Sequence, residues 1–216
     1  MTGSASQVEK GRGGDSGGGL DPGLLALVRV SGAVAGRDQA RLDAALEEAL
    51  ENRPHDVEEV LVQSYLFVGF PSALNALARW RRISGRPAPP PQLDDPGLRL
   101  DRGEDVCRRV YGDQYERLRS NIAELHPDLD RWMVEEGYGK VLGREGLTLT
   151  ERELCILALL AVQEVPVQLH SHLRGALEVG ATPRQVQAAL VAVNEMVSPR
   201  FRPRAQEIWD RVRSPR

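Results

Sequence analysis

Residues 148–190 read TLTERELCILALLAVQEVPVQLHSHLRGALEVGATPRQVQAAL, the longest run in the chain with a regular helical pattern of apolar residues. Its apolar residues recur every three or four positions, the spacing that places them on one face of an α-helix. Pro166 separates the first helix from the second. Gly180 and Thr182 separate the second from the third, because glycine suits the left-handed end of a helix and threonine caps a helix start. The stretch therefore predicts three consecutive amphipathic helices.

The first of these helices carries a capping signal at its start. Thr150 is followed three residues later by Glu153, the spacing at which a threonine hydroxyl and a glutamate carboxylate each bond a backbone N–H of the first turn. We expect Thr150 to be the N-cap. A role in this capping box is by itself a sufficient reason for a glutamate at position 153.

The second helix holds two of the four histidines in the chain. His172 lies on the apolar stripe of that helix and should face the core, whereas His170 lies about 200° away around the helix and should face solvent. A histidine on an apolar face is either an acid–base group or a core residue that is hydrogen-bonded to a neighbour. The sequence alone leaves both interpretations open.

The composition of the chain limits the classes of partner. The 216 residues carry a net charge of −3, so no basic excess indicates a nucleic acid, and no apolar run approaches the ~20 residues of a membrane span. Cys107 and Cys155 are too few for a disulfide framework. We therefore expect no nucleic-acid partner, no membrane and a cytoplasmic location, where thiols stay reduced.

Four segments follow from the changes in composition along the chain. Residues 1–19 are rich in glycine and predict a disordered tail, and residues 84–103 are rich in proline and predict a linker. Residues 20–83 and 104–216 carry helical patterns only, without a strand signal. We expect an all-α bundle in one compact domain.

The two helical segments resemble each other. Ala49-Leu50-Glu51 corresponds to Ala176-Leu177-Glu178 at an offset of 127, and Trp80 corresponds to Trp209 at an offset of 129. Such a repeat predicts an internal duplication, with two similar helical units packed about a pseudo-twofold axis. The alternative is that any two pairs of amphipathic helices can be aligned in this way.

Residues 143–186 resemble the core of the carboxymuconolactone decarboxylase family, which includes the alkylhydroperoxidase D-like proteins. The resemblance extends back to about Val106. The motifs that carry it are Gly146-Leu147, R-x-L at Arg152, H-x-x-x-A-L from His172 to Leu177, and G-A-T-x-x-x-V from Gly180 to Val186. It implies a helical bundle of the alkylhydroperoxidase D-like type that assembles as a homo-oligomer.

The resemblance also implies a site, from which this chain departs at two positions. In alkylhydroperoxidase D-like proteins a glutamate, a C-x-x-C pair and a histidine four residues later form a proton relay that activates a thiolate. Glu153 and His172 match the two ends of this relay, but Val165 and Gln168 stand at the cysteine positions. A dithiol peroxidase is disfavoured because only a thiolate is nucleophilic. Peroxidase activity remains a second alternative.

The decarboxylase branch of the family needs no cysteine. Loss of carbon dioxide from a lactone acid requires a proton donor and a group that stabilises the enolate, and a histidine beside a carboxylate supplies both near neutral pH. We expect His172, Glu153 and Glu59 to be catalytic and to act on a small cyclic keto-acid or lactone. This expectation favours an enzyme, a lyase. The alternative is a catalytically silent member that serves in oligomerisation or ligand binding.

Three further residues are expected to bind the substrate. Gln168 lies one helical turn before the catalytic histidine, and His170 lies on the same helix. Tyr65 follows Glu59 in a segment that resembles the one after the histidine helix of lactone decarboxylases. No cofactor is expected, and no metal either, since His170-x-His172 lacks a third ligand at a recognisable spacing.

Overall fold

A computed structural model describes residues 19–92 and 94–214, and within them every regular element is a helix. The α-helices are α1 Pro22–Ala35, α2 Gln39–Asn52, α3 Val57–Ser84, α4 Arg99–Tyr111, α5 Tyr115–Leu125, α6 Pro127–Trp132, α7 Leu149–Gln163, α8 Pro166–Glu178, α9 Pro183–Ala192 and α10 Arg202–Arg213, with a π-helix at Met133–Leu142. The predicted all-α fold is confirmed. The internal duplication stays a prediction. The predicted tail lies outside the described residues apart from Gly19.

Helix α7 is the centre of the bundle. Residues 152–161 are all buried, including two charged residues that are adjacent in the sequence, Arg152 and Glu153. A helix that is buried on every side needs neighbours on every side, and α1, α3, α8 and α9 all pack against it. Helix α1 is joined to it by a hydrogen bond from the Ser31 hydroxyl to the Cys155 carbonyl, at 2.7 Å. The helices of both predicted units therefore share one core.

The predicted start of α7 is wrong by two residues. Thr148, and not Thr150, is the N-cap, and Glu151 completes the capping box. Both threonines are followed three residues later by a glutamate, so the sequence signal fits either. Tertiary contacts decide between them, because the Thr150 hydroxyl donates to the Val179 carbonyl at 2.6 Å. Glu153 is thereby free of a capping role and lies in the core.

The predicted boundaries between α7 and α8 and between α8 and α9 agree with the structure. Pro166 is the first residue of α8. Gly180 has a φ of 98°, a conformation that favours glycine. Thr182 caps α9, with its hydroxyl accepting from the Gln185 N–H at 3.2 Å.

Helix α3 is the longest in the described residues, and it is kinked. Gly69 has a φ of 77°, and Pro71 two residues later has no N–H to donate. By length and apolar composition alone α3 could cross a bilayer, and 33% of its most apolar window is buried. Core helices meet the same criterion, so it is weak evidence for a membrane.

Helix α4 and the π-helix are in direct backbone contact. Helix α4 begins at Arg99, within the predicted linker. A Cβ atom on Gly103 would lie 2.1 Å from the Val134 carbonyl oxygen, and one on Gly139 would lie 2.1 Å from the Arg99 carbonyl oxygen. Both glycines are thus required by the close approach of two backbones. The contact fixes the position of α4, which borders the candidate site.

We expect Gly139→Ala to lower the free energy of unfolding by about 3 kcal/mol or more, at the upper end of overpacking effects, because backbone must move to admit the methyl group. The melting temperature should fall by roughly 6 °C or more. Gly137→Ala is the matched control in the same π-helix, since a Cβ there meets no atom within 4 Å. Thermal unfolding followed by circular dichroism checks both variants. Equal melting temperatures for the two would contradict the close backbone contact.

Candidate active site

His172 is held in the core by the geometry of α8. The helix buries one stripe against α7, and this stripe consists of Leu169, His172, Leu173, Gly175 and Ala176. The side chain of His172 is 8% exposed. Its Nδ1 atom lies 2.8 Å from the Glu153 Oε2 atom on α7. The sequence therefore placed His172 correctly on the buried face, and the structure adds its partner.

Glu153 depends on this hydrogen bond. Its side chain is 2% exposed, and an isolated carboxylate at such a depth is costly unless a donor binds it. Gly175 allows the carboxylate to approach α8, since a Cβ at that position would lie 3.0 Å from Glu153 Oε2. Gly175 and His172 on α8 therefore both contact the Glu153 carboxylate on α7.

The pair leaves one reactive atom available. Glu153 binds Nδ1 and fixes the orientation of the imidazole ring, while Nε2 has no hydrogen-bond partner among residues 19–92 and 94–214. A carboxylate at Nδ1 also stabilises the imidazolium form. Chemically, the arrangement can take up a proton at Nε2 and return it.

Aromatic side chains border the histidine ring. Phe67 on α3 meets it edge to face at a centroid distance of 5.7 Å, and Tyr111 on α4 does so at 6.5 Å. The Tyr138 hydroxyl, from the π-helix, donates to the Tyr111 hydroxyl at 2.9 Å. Burial raises the pKa of Tyr111 and of Tyr138, and the nearby Glu153 charge raises both further. Both phenols are therefore protonated at neutral pH and are hydrogen-bond donors.

A groove of about 460 Å³ opens beside this cluster. It lies between α4, α5 and α8, and its lining residues are Val110, Tyr111, Gln114, Arg117, Leu118, Asn121, Val167, His170, Ser171, Arg174, Gly175 and Glu178. His172 is not among them. Tyr111 and Gly175 line the groove on one side and contact the His172–Glu153 pair on the other. They form the wall between the groove and the buried pair.

Glu59 is engaged elsewhere. Its carboxylate binds Arg144 at 2.8 Å and Arg152 at 3.1 Å. Arg152 is 1% exposed and also donates to the Gln63 side chain and to the Arg144 and Glu145 carbonyls. No hydrogen bond or ion pair of the described residues joins Glu59 to His172 or Glu153. The structure gives Glu59 contacts that tie α3 to α7 and to the loop before α7.

The three expected substrate-binding residues lie in different surroundings. His170 lines the groove. Gln168 is exposed on the first turn of α8. Tyr65 stacks on Phe70 at a centroid distance of 4.7 Å, and its buried hydroxyl has no hydrogen-bond partner in the described residues. The structure thus brings only His170 to the groove beside the pair.

Tyr111, Tyr138 and Phe67 are the residues of this cluster that the sequence did not single out. Tyr111 and Tyr138 occur within helical patterns that explain an aromatic residue by core packing alone. Two phenols 27 positions apart carry no spacing signal. Their hydroxyl contact arises only because α4 packs on the π-helix.

Comparisons with known proteins identify the class. The sequence model of the carboxymuconolactone decarboxylase family matches residues 127–208. "Peroxisomal protein 2" of Schizosaccharomyces pombe is 32% identical over 182 residues, which is 79% of this chain and 84% of that protein. "Peroxisomal protein 2" of Saccharomyces cerevisiae is 25% identical over 162 residues, which is 60% of this chain and 56% of that protein.

This helical chain, with its buried Glu153–His172 pair, belongs to the carboxymuconolactone decarboxylase family. The matched range begins at α6 and ends in α10, so it contains Glu153, His172 and Tyr138. Tyr111 and Phe67 lie outside it.

Neither cysteine has the surroundings of a reactive thiol. Cys107 on α4 and Cys155 on α7 are both fully buried. Burial raises the pKa of each thiol from 9.0 to about 12. A protonated thiol is a poor nucleophile, so these surroundings oppose thiol chemistry at neutral pH.

We expect both thiols of the folded protein to resist a disulfide reagent such as DTNB near pH 8, and to react fully once guanidinium chloride has unfolded the chain. Because the folded pKa values exceed the unfolded ones, the thiols contribute to stability below pH 9 and lose that contribution as pH rises from about 9 to about 12. Fast reaction in the folded state, abolished by Cys107→Ser, would restore a thiol to the site.

Proposed function

We propose that this protein is a small-molecule enzyme in which His172 exchanges a proton through Nε2 with a cyclic keto-acid or lactone. The observation that carries the proposal is the buried hydrogen bond between His172 Nδ1 and Glu153 Oε2, while no other residue in the described part of the chain bonds Nε2. This is the arrangement by which a carboxylate orients an imidazole and stabilises its charged form during catalysis.

The proton balance of a decarboxylation fits such a pair. When the bond to the carboxyl group breaks, carbon dioxide leaves and the electron pair stays on the substrate as an enolate. His172 in its imidazolium form then gives a proton from Nε2 to the enolate carbon, and Glu153 offsets the charge while the ring carries it. A protonated phenol such as Tyr111, which borders both the groove and the histidine ring, is suited to donate a hydrogen bond to the enolate oxygen.

A catalytically silent member is the second candidate, and one observation favours it. The His172 side chain is 8% exposed and does not line the groove. A substrate in the groove would reach Nε2 only after a movement of the wall that Tyr111 and Gly175 form. In the silent protein, the Glu153–His172 pair would serve to hold α7 and α8 together. Peroxidase activity is the least supported candidate, because Val165 and Gln168 replace the dithiol.

We expect His172→Ala to lower kcat/KM on cyclic keto-acids or lactone acids by about 10²- to 10⁴-fold, the usual contribution of a general acid. Glu153→Gln should lower it by about 10- to 100-fold, because the histidine loses a charge-assisted hydrogen bond. Release of carbon dioxide measures both effects.

Two further variants serve as controls for this experiment. His172→Gln retains a side chain that can bond Glu153, so it separates lost chemistry from lost stability. His55→Ala removes an exposed imidazole outside the site and should leave the rate unchanged. Equal rates for His172→Ala and the wild type would remove His172 from the mechanism. Absence of turnover in the wild type across the substrate panel would support the silent member.

We also propose a homo-oligomer located in the cytoplasm. Large apolar side chains are exposed on the second half of α3, where Phe70 is 62% and Leu74 59% exposed, and on α6 at Trp132. Such a surface is suited to a second copy of the chain. Light scattering should give a mass above that of the monomer, and Phe70→Ser should lower it. The names of the two relatives suggest the peroxisome as the alternative location, and imaging the tagged full-length chain in its own cells distinguishes the two.

A further inference from the structure

The groove beside the candidate site is lined by several side chains that carry hydrogen-bond donors. Arg117 on α5 and Arg174 on α8 each lack a carboxylate within 4.0 Å in residues 19–92 and 94–214. The side-chain amides of Gln114 and Asn121 make no hydrogen bond in that part of the chain either. Two guanidinium groups and two amides therefore face one hollow from different walls.

The neighbouring arginines are paired instead. Arg119, two residues after Arg117, binds Asp130 at 2.8 Å through its Nη2 atom, and Arg108 binds Glu116 at 2.8 Å. Among the residues that the structure describes, Glu178 is the one carboxylate in the lining, so Arg117 and Arg174 leave a net positive charge there. A hollow with this charge favours an anion.

The walls of the groove also accommodate an organic body. Val110, Leu118 and Val167 line it with apolar surface, and its volume of about 460 Å³ lies in the range of small-molecule sites. An inorganic anion would fill only a small part of this space. Guanidinium groups bind carboxylates through two parallel hydrogen bonds. The combination is suited to a small carboxylic acid with an apolar skeleton.

The position of the groove connects it with the acid–base pair. Tyr111 lines the groove, and its ring meets that of His172. Gly175 lines the groove and backs on to the Glu153 carboxylate. A carboxylate held between Arg117 and Arg174 would therefore place the rest of its skeleton against the wall behind which His172 lies.

We propose that this groove binds a small organic carboxylate, anchored by Arg117 and Arg174. The inference rests on the proposed function and deepens it, because it assigns the residues on α5 and α8 that anchor the carboxyl group of the substrate. Binding is measured without turnover, so the two proposals fail separately.

The test uses isothermal titration calorimetry on the full chain, with adipate as the probe. Adipate should bind the wild type and should bind His172→Ala with a similar Kd, because the anchors do not involve the imidazole. Arg174→Gln and Arg117→Gln should each raise the Kd by about tenfold or more, as expected for loss of a charge-assisted contact. Val167→Trp should also weaken binding, since it fills the groove at a 70% exposed position without changing charge.

Three controls define the result. Arg37→Gln removes an exposed arginine in the connection between α1 and α2 and should leave the Kd unchanged. Neutral adipamide should not bind, and inorganic phosphate should bind at least tenfold more weakly than adipate. Equal effects of Arg174→Gln and Arg37→Gln on the Kd would overturn the proposal that Arg174 anchors the ligand. Phosphate binding as tight as that of adipate would overturn the proposal that the ligand is an organic carboxylate. Adipate binding without any turnover would retain this site and reject the proposed enzyme.

Discussion

The hydrogen bond between Glu153 and His172 is the contact on which the rest of the site depends. A carboxylate that is 2% exposed in the middle of α7 is stable only with a donor at hydrogen-bond distance, and α8 supplies that donor. Removing one member of such a buried pair costs about 3–5 kcal/mol, because the other charge stays buried and unpaired. Gly175 leaves room for the contact, since a Cβ atom there would lie 2.8 Å from the Val110 side chain and 3.0 Å from the Glu153 carboxylate.

Helix α7 holds two polar networks through adjacent residues. The Glu153 side chain bonds His172 on α8. The Arg152 side chain binds Glu59 on α3 and backbone carbonyls in the loop before α7. Burial lowers the pKa of the Arg152 guanidinium, and the Glu59 carboxylate opposes that shift. One helix thus joins the first predicted unit to the second through an ion pair on one side and carries the carboxylate of the Glu153–His172 pair on the other.

Part of the surroundings of the pair lies outside the family match. Tyr111 and the arginine of α5, Arg117, precede residue 127, as does Phe67. The family core therefore supplies the Glu153–His172 pair and the α8 wall of the groove, with Arg174, whereas α4 and α5 supply the opposite wall, with Arg117. A change in α4 or α5 could thus alter the groove without altering the pair.

The all-α class, the helices of residues 148–190, the buried face of His172 and the family resemblance could be read from the sequence, because apolar spacing and local capping act over a few residues. The first turn of α4 could not, since it lies in a proline-rich segment that predicted a linker. The sequence misplaced the start of α7, since Thr148 and Thr150 satisfy the same local pattern, and the hydrogen bond of Thr150 to the Val179 carbonyl, just after α8, distinguishes them. The sequence likewise did not predict the ion-pair partners of Glu59 or the contacts of Tyr111. Those contacts join residues from 27 to 93 positions apart, and their geometry exists only once the helices have packed.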